Sequence, residues 1–175
     1  GEFENLWSTA KPSLVQILDE DALVKELVYV ATNAVKHGLV ERIDEWPGAK
    51  GYLALLTGKA LKATKPKSFL SRRNKKWPET IKLSLRIPNA LGDHDKIMAR
   101  VIPRVAAAVR YFAQQRELTG QAVVGRYSVL RASRTDSPKT RAQRFKLSPT
   151  IAARDEETRF AAIQRKRDFQ RAYRV

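Results

Sequence analysis

Tyr29, Asn33, Lys25 and Lys36 are the residues whose types and spacing could do chemistry. A phenol that ionises near pH ~10 is a weak nucleophile in neutral water. It attacks a phosphodiester only where a divalent metal or other cations neutralise and position the phosphate. All four residues fall within DEDALVKELVYVATNAVKHGLVERIDEWP, residues 19–47. The first part of that stretch predicts a helix. Asp19 is placed as an N-cap, Glu20 and Asp21 put negative charge in the first turn, and Gly38 follows Lys36 and His37 as a stop. At about 100° per residue the apolar stripe is Leu23, Val24, Leu27, Val28, Val30, Ala31, Ala34 and Val35. Tyr29 lies across from that stripe, with Asn33 within about 40° of it and the two lysines on its other flank. An aromatic ring on a polar face, beside an amide and two lysines, is not placed as core residues are. The plain alternatives are a surface tyrosine and solvated lysines.

The segment Tyr29-Val-Ala-Thr-Asn33-Ala-Val-Lys-His-Gly38-Leu-Val40, followed by Asp44-Glu-Trp46-Pro47, resembles the single-tyrosine HUH transposases, in particular the REP-associated tyrosine transposases. The resemblance is dense over residues 3–47. It is looser through Val124-Gly125-Arg126, Val129-Leu130, Leu147-Ser148-Pro149 and Ala152-Ala153-Arg154, which look like the C-terminal extension of one branch of that family. Ala34 stands where the family usually has proline. The resemblance implies that Tyr29 attacks a DNA phosphate in hairpin-forming single-stranded DNA, leaving a 5′-phosphotyrosine and a free 3′-hydroxyl. It implies Mg²⁺ or Mn²⁺, held by two histidines flanking a hydrophobic residue, with Asn33 at the position of an amide ligand from the tyrosine helix. The family acts as monomers or homodimers.

That histidine pair is missing. His37 and His94 are the only histidines, and neither sits in a His-hydrophobic-His triplet. His37 reads as a cation at a helix end and His94, in Gly-Asp-His-Asp, as a polar residue at a helix start. The expectation is a chain that neither completes the metal site nor cleaves DNA by itself.

Charge supports a polyanionic partner. The 175 residues hold 34 lysines and arginines against 18 acids, a net charge of +16, which predicts salt-sensitive attraction to nucleic acid. A ribosomal location, an anionic membrane surface or mere solubilisation would also use such charge. No run of about 18 apolar residues spans a membrane, and Gly1-Glu2-Phe3-Glu4 lacks the blocks of a signal peptide. Without cysteine there are no disulfides or thiolate metal sites. A cytoplasmic, nucleoid-associated protein is expected.

The remaining elements must position the tyrosine helix. Residues 13–18, SLVQIL, read as a strand feeding it. One strand, a turn and a helix cannot close a sheet, and Phe3 and Trp7 lack partners, so the chain reads as truncated at its N-terminus. Trp46-Pro47 reads as an aromatic lid on the base of the tyrosine helix. Residues 50–56 predict a short helix stopped by Gly58, and KALKATKPK, residues 59–67, a basic edge strand. Residues 71–76 are a basic loop. Ile81, Leu83, Leu85 and Ile87 alternate with polar residues in the clearest strand. A long helical pattern covers residues 93–115, with Pro103 expected to kink or split it.

Residues 126–174 carry 14 lysines and arginines against five acids, more than half of the excess charge. An amphipathic segment at 119–132, a polar loop at 133–146, a helix starting at Ser148-Pro149 and a long helix at 156–173 are expected there. With Lys25 and Lys36, the candidate DNA contacts are Arg126, Arg131, Arg134, Arg141, Arg144 and Lys146, with Tyr127 or Phe145 stacking on a base.

The expected fold class is α+β: a truncated ferredoxin-like HUH remnant at 1–58, a mixed strand and helix region at 59–118, and a basic helical extension at 119–175. The expected function is the C-terminal portion of a single-tyrosine DNA transposase. The alternatives are a non-catalytic basic DNA-binding module and a helical assembly protein.

Overall fold

The computed structural model describes residues 14–65, 78–133 and 150–173. Over these described residues it is mixed α+β, mostly helical, with two small two-stranded sheets. The elements run β1 (Gln16–Ile17), α1 (Glu20–Lys36), α2 (Gly51–Thr57), β2 (Leu61–Thr64), β3 (Thr80–Leu83), α3 (His94–Thr119), α4 (Arg126–Arg131), β4 (Ile151–Ala152) and α5 (Glu156–Ala172), with 3-10 turns at Ile43–Glu45 and Asn89–Leu91. Two compact units result: Gly1–Leu23 with Ser137–Val175, and Val24–Asp136. Helix α1 begins in the first and continues in the second.

In the first unit β1 pairs parallel with β4, Gln16 opposite Ile151 and Ile17 opposite Ala152. The helix expected from Ser148-Pro149 is therefore a correction, because Ile151 and Ala152 are spent on this ladder. Asp19 joins the strand pair to α1. One of its carboxylate oxygens accepts the Ala22 amide at 2.7 Å and the other accepts the Arg154 amide at 2.6 Å. The Arg154 guanidinium pairs with Asp21 at 2.8 Å.

Helix α5 opens on Asp155, whose carboxylate accepts the Thr158 amide at 2.7 Å. Hydrogen bonds from Thr158 hold the Asp155 carboxyl below its ordinary range. A lowered folded pKa means the cap contributes above the unfolded pKa, near 3.8, and is lost as the pH falls through the lower folded value. The protection factor of the Thr158 amide, its exchange rate relative to the unstructured rate at the same pH, should therefore fall on acidification through that window. Asp155→Asn, which still caps, should flatten the dependence.

The core of the second unit is laid down by α1, α2 and α3: Val24, Ala31 and Val35, then Ala54 and Leu55, then Ile97, Met98, Val101 and Val105. Val40 and Ile87 are buried from the connecting segments. Helix α3 is capped by the Asp93 carboxylate on the Lys96 amide, and it runs unbroken through Pro103. Of the expected kink or split, the split does not occur. Pro103 is exposed and lies roughly opposite the Ile97–Val101–Val105 stripe, so the carbonyl it leaves unbonded faces water.

Strands β2 and β3 pair antiparallel, Leu61 with Leu83, Lys62 with Lys82 and Ala63 with Ile81. The strand expected over residues 81–87 stops at Leu83, and Ile81 and Leu83 remain about half exposed. Among the described residues no third strand extends the ladder, and of the four alternating positions only Ile87 is buried. The expected loop at 71–76 lies outside the described residues.

Candidate nucleic-acid interface

Helix α1 carries Tyr29, Asn33, Lys25 and Lys36, and its C-terminal end shows how the helix is fixed. The Gly38 amide donates to the Val35 carbonyl at 3.0 Å and the Leu39 amide to the Ala34 carbonyl at 2.9 Å, with Gly38 at φ +65°. This is a Schellman closure, which satisfies carbonyls that a helix end otherwise leaves open. From α3 the Arg116 guanidinium donates to the Val35 carbonyl at 3.0 Å, placing a cation at the negative end of the α1 dipole. The Val124 and Gly125 amides then donate to the Gly38 and Leu39 carbonyls at 2.8 and 3.0 Å. Those bonds bring the start of α4, and with it Arg126, to the end of the tyrosine helix. Gly38→Ala should cost about 1–2 kcal/mol, measured as a lowered denaturation midpoint, because a Cβ resists the left-handed backbone.

Tyr29 is 47% exposed, so its ring faces solvent instead of the aliphatic core. The Lys36 ammonium sits over it, 5.5 Å from the ring centroid. A cation held on a phenol ring is within reach of any anion brought to that hydroxyl. One turn after Tyr29 lies Asn33, whose Oδ1 is sealed from water and accepts no hydrogen bond among the described residues. A buried amide oxygen in that state carries an unmet desolvation cost. Lys25 is exposed on the same helix.

The expected apolar stripe of α1 is corrected at one position. Val30 is 67% exposed and Thr32 is buried, its hydroxyl donating to the Val28 carbonyl at 2.8 Å. Bonding back to the preceding turn satisfies the threonine hydroxyl, so that side of the helix can be buried. Tyr29 and Val30 together form a small outward patch.

Arg126 and Arg131 are exposed on α4, beside the exposed Tyr127. Arg134, Arg141, Arg144, Phe145 and Lys146 lie outside the described residues. Trp46 is half buried, its indole folded against Gly48 of its own loop. The ladder adds two cations that sequence spacing does not pair, Lys62 and Lys82, directly opposite on one face of the ribbon. Like charges in that position repel, and a bound polyanion relieves the repulsion. Only the β2–β3 register reveals them, since 20 residues separate them in the chain.

The fit to Mg²⁺ or Mn²⁺ is poor. Such ions want about six oxygen-type ligands, and Asn33 Oδ1 supplies one. Among the described residues no three His, Cys, Asp or Glu side chains gather as a metal-holding group. His37 ends α1 and His94 starts α3, both exposed. Among the described residues no helix is long and apolar enough to cross a membrane. No known family model, curated protein or solved structure matches the chain.

Proposed function

We propose that this chain is the tyrosine-bearing portion of a single-tyrosine DNA transposase acting on hairpin-flanked single-stranded DNA. The observation that carries the reading is the outward Tyr29 ring under the Lys36 ammonium. In the proposed step the Tyr29 oxygen attacks phosphorus and gives up its proton. The bond from phosphorus to the 3′-oxygen breaks, and that oxygen takes a proton to become the free 3′-hydroxyl. The product is a 5′-phosphotyrosine. Lys36 moves from the ring to the phosphate and offsets its charge during attack. Joining the released hydroxyl to a new phosphotyrosine reverses the step.

Because the sequence holds only His37 and His94 and no His-hydrophobic-His triplet, the step is assigned to a protein in which a domain bearing the paired histidines accompanies this chain. The test is covalent attachment of a 5′-labelled hairpin oligonucleotide in that combination, resolved on a denaturing gel.

A second reading, a non-catalytic DNA-binding module, is favoured by the net charge of +16 and by the facing pair Lys62 and Lys82. Both readings require binding that weakens steeply with salt. Only the first requires the adduct.

A further inference from the structure

We infer that the outer face of α5 and the groove between it and β1 form a stacking site for single-stranded DNA, separate from Tyr29. The inference rests on the reading of this chain as one that acts on DNA, and it assigns a second place where that DNA is held. Tyr173, the residue that caps the C-terminal end of α5, follows Phe169 by four positions, and their rings lie 22° from parallel with centroids 6.0 Å apart. They are 68% and 82% exposed. Two large rings aligned with each other and left in water have no packing role that explains their position. They offer a π-surface on which a base continues the stack.

Arg165 and Lys166 precede Phe169 by four and three residues and so share its face of the helix. With Phe169 they line an open groove of about 720 Å³ whose other side is Leu14 to Leu18 of the β1 segment. Arg171 and Gln164 engage Asp168, whereas Arg165 and Lys166 have no carboxylate partner among the described residues. Unneutralised cations beside stacked aromatics match a strand with phosphates along one edge and bases along the other. A duplex hides its base faces, and an anionic membrane offers no rings to stack, so the occupant assigned is a single strand.

The test is fluorescence anisotropy on the full 175-residue chain with labelled dT12, an abasic 12-mer of the same backbone, and rU12. The expected result is that dT12 binds at least about tenfold more tightly than the abasic strand. Joint replacement Phe169→Ala and Tyr173→Ala should remove that preference while abasic binding is unchanged. Phe169→Trp should keep it. Arg165→Gln with Lys166→Gln should weaken both DNA strands equally. Circular dichroism of each variant should match the parent, since all four side chains are exposed.

A parent chain that binds the abasic strand as tightly as dT12, or a double alanine variant that keeps the preference, overturns the stacking site and leaves the transposase reading standing. Tenfold tighter binding of rU12 than of dT12 overturns the assignment to DNA. Failure to bind any strand overturns both the stacking site and the reading beneath it.

Discussion

Replacing Tyr29 by phenylalanine should abolish the covalent DNA adduct when the chain is combined with a domain supplying the paired histidines. The expected loss is at least about 10⁴-fold, in line with removal of a nucleophile elsewhere. The change removes one oxygen and keeps the ring. The ring is 47% exposed, so folding should change by less than about 0.5 kcal/mol. Lys36 should keep its place over the ring, because the attraction is to the π-face. DNA binding in the variant should therefore match the parent while the adduct disappears. That separation distinguishes chemistry from affinity: a surface tyrosine in a plain binding module would change neither readout, and a contact residue would change binding first. Lys36→Gln is the useful companion. It should reduce the adduct more than it reduces binding if the ammonium meets the phosphate during attack.

The largest expected effect on stability is at Ile97. Its side chain is fully buried in the second unit, in a core with Val24, Val35 and Val101 that are likewise sealed. Ile97→Ala should cost about 2–5 kcal/mol, combining lost transfer energy with the cavity left behind. For a domain of this size that is a large share of total stability. Ile102, five residues along the same helix but 40% exposed, is the control, and its alanine variant should stay within about 0.5 kcal/mol. Urea denaturation of both variants gives the comparison. The result bears on function because α3 carries Arg116, which holds the end of the tyrosine helix. Loosening Ile97 should therefore reduce adduct formation through the orientation of α1, although the side chain itself is sealed in the core.

What the sequence reveals about this chain follows from which forces are local. Asp19 and Gly38 bound α1 because caps and left-handed stops act within a few residues, and both are legible. The short helix ended by Gly58 is legible for the same reason, with φ at +66°. The outward face of Tyr29 follows from helical periodicity alone. The errors come where a distant partner decides. Ile151 and Ala152 become a strand because β1 lies beside them, which no local pattern announces. Pro103 does not break α3, because the buried stripe faces the other way and the proline sits on the exposed side. Val30 is exposed although its neighbours in the stripe are covered. Arg116 at Val35, 81 residues away in the chain, and Lys62 opposite Lys82 are tertiary facts without a sequence signal. The partnerless oxygen of Asn33 belongs with them.

The most direct test is to locate the nucleotide on the chain. Trypsin cuts after Lys25 and Lys36 and releases residues 26–36, ELVYVATNAVK, in which Tyr29 is the only tyrosine. After reaction with a hairpin oligonucleotide in the presence of the domain supplying the paired histidines, and nuclease trimming, mass spectrometry should find that peptide heavier by a 5′-linked nucleotide, with fragment ions placing it on Tyr29. An adduct on another residue, or strand cleavage with that peptide unmodified throughout, would contradict the assignment.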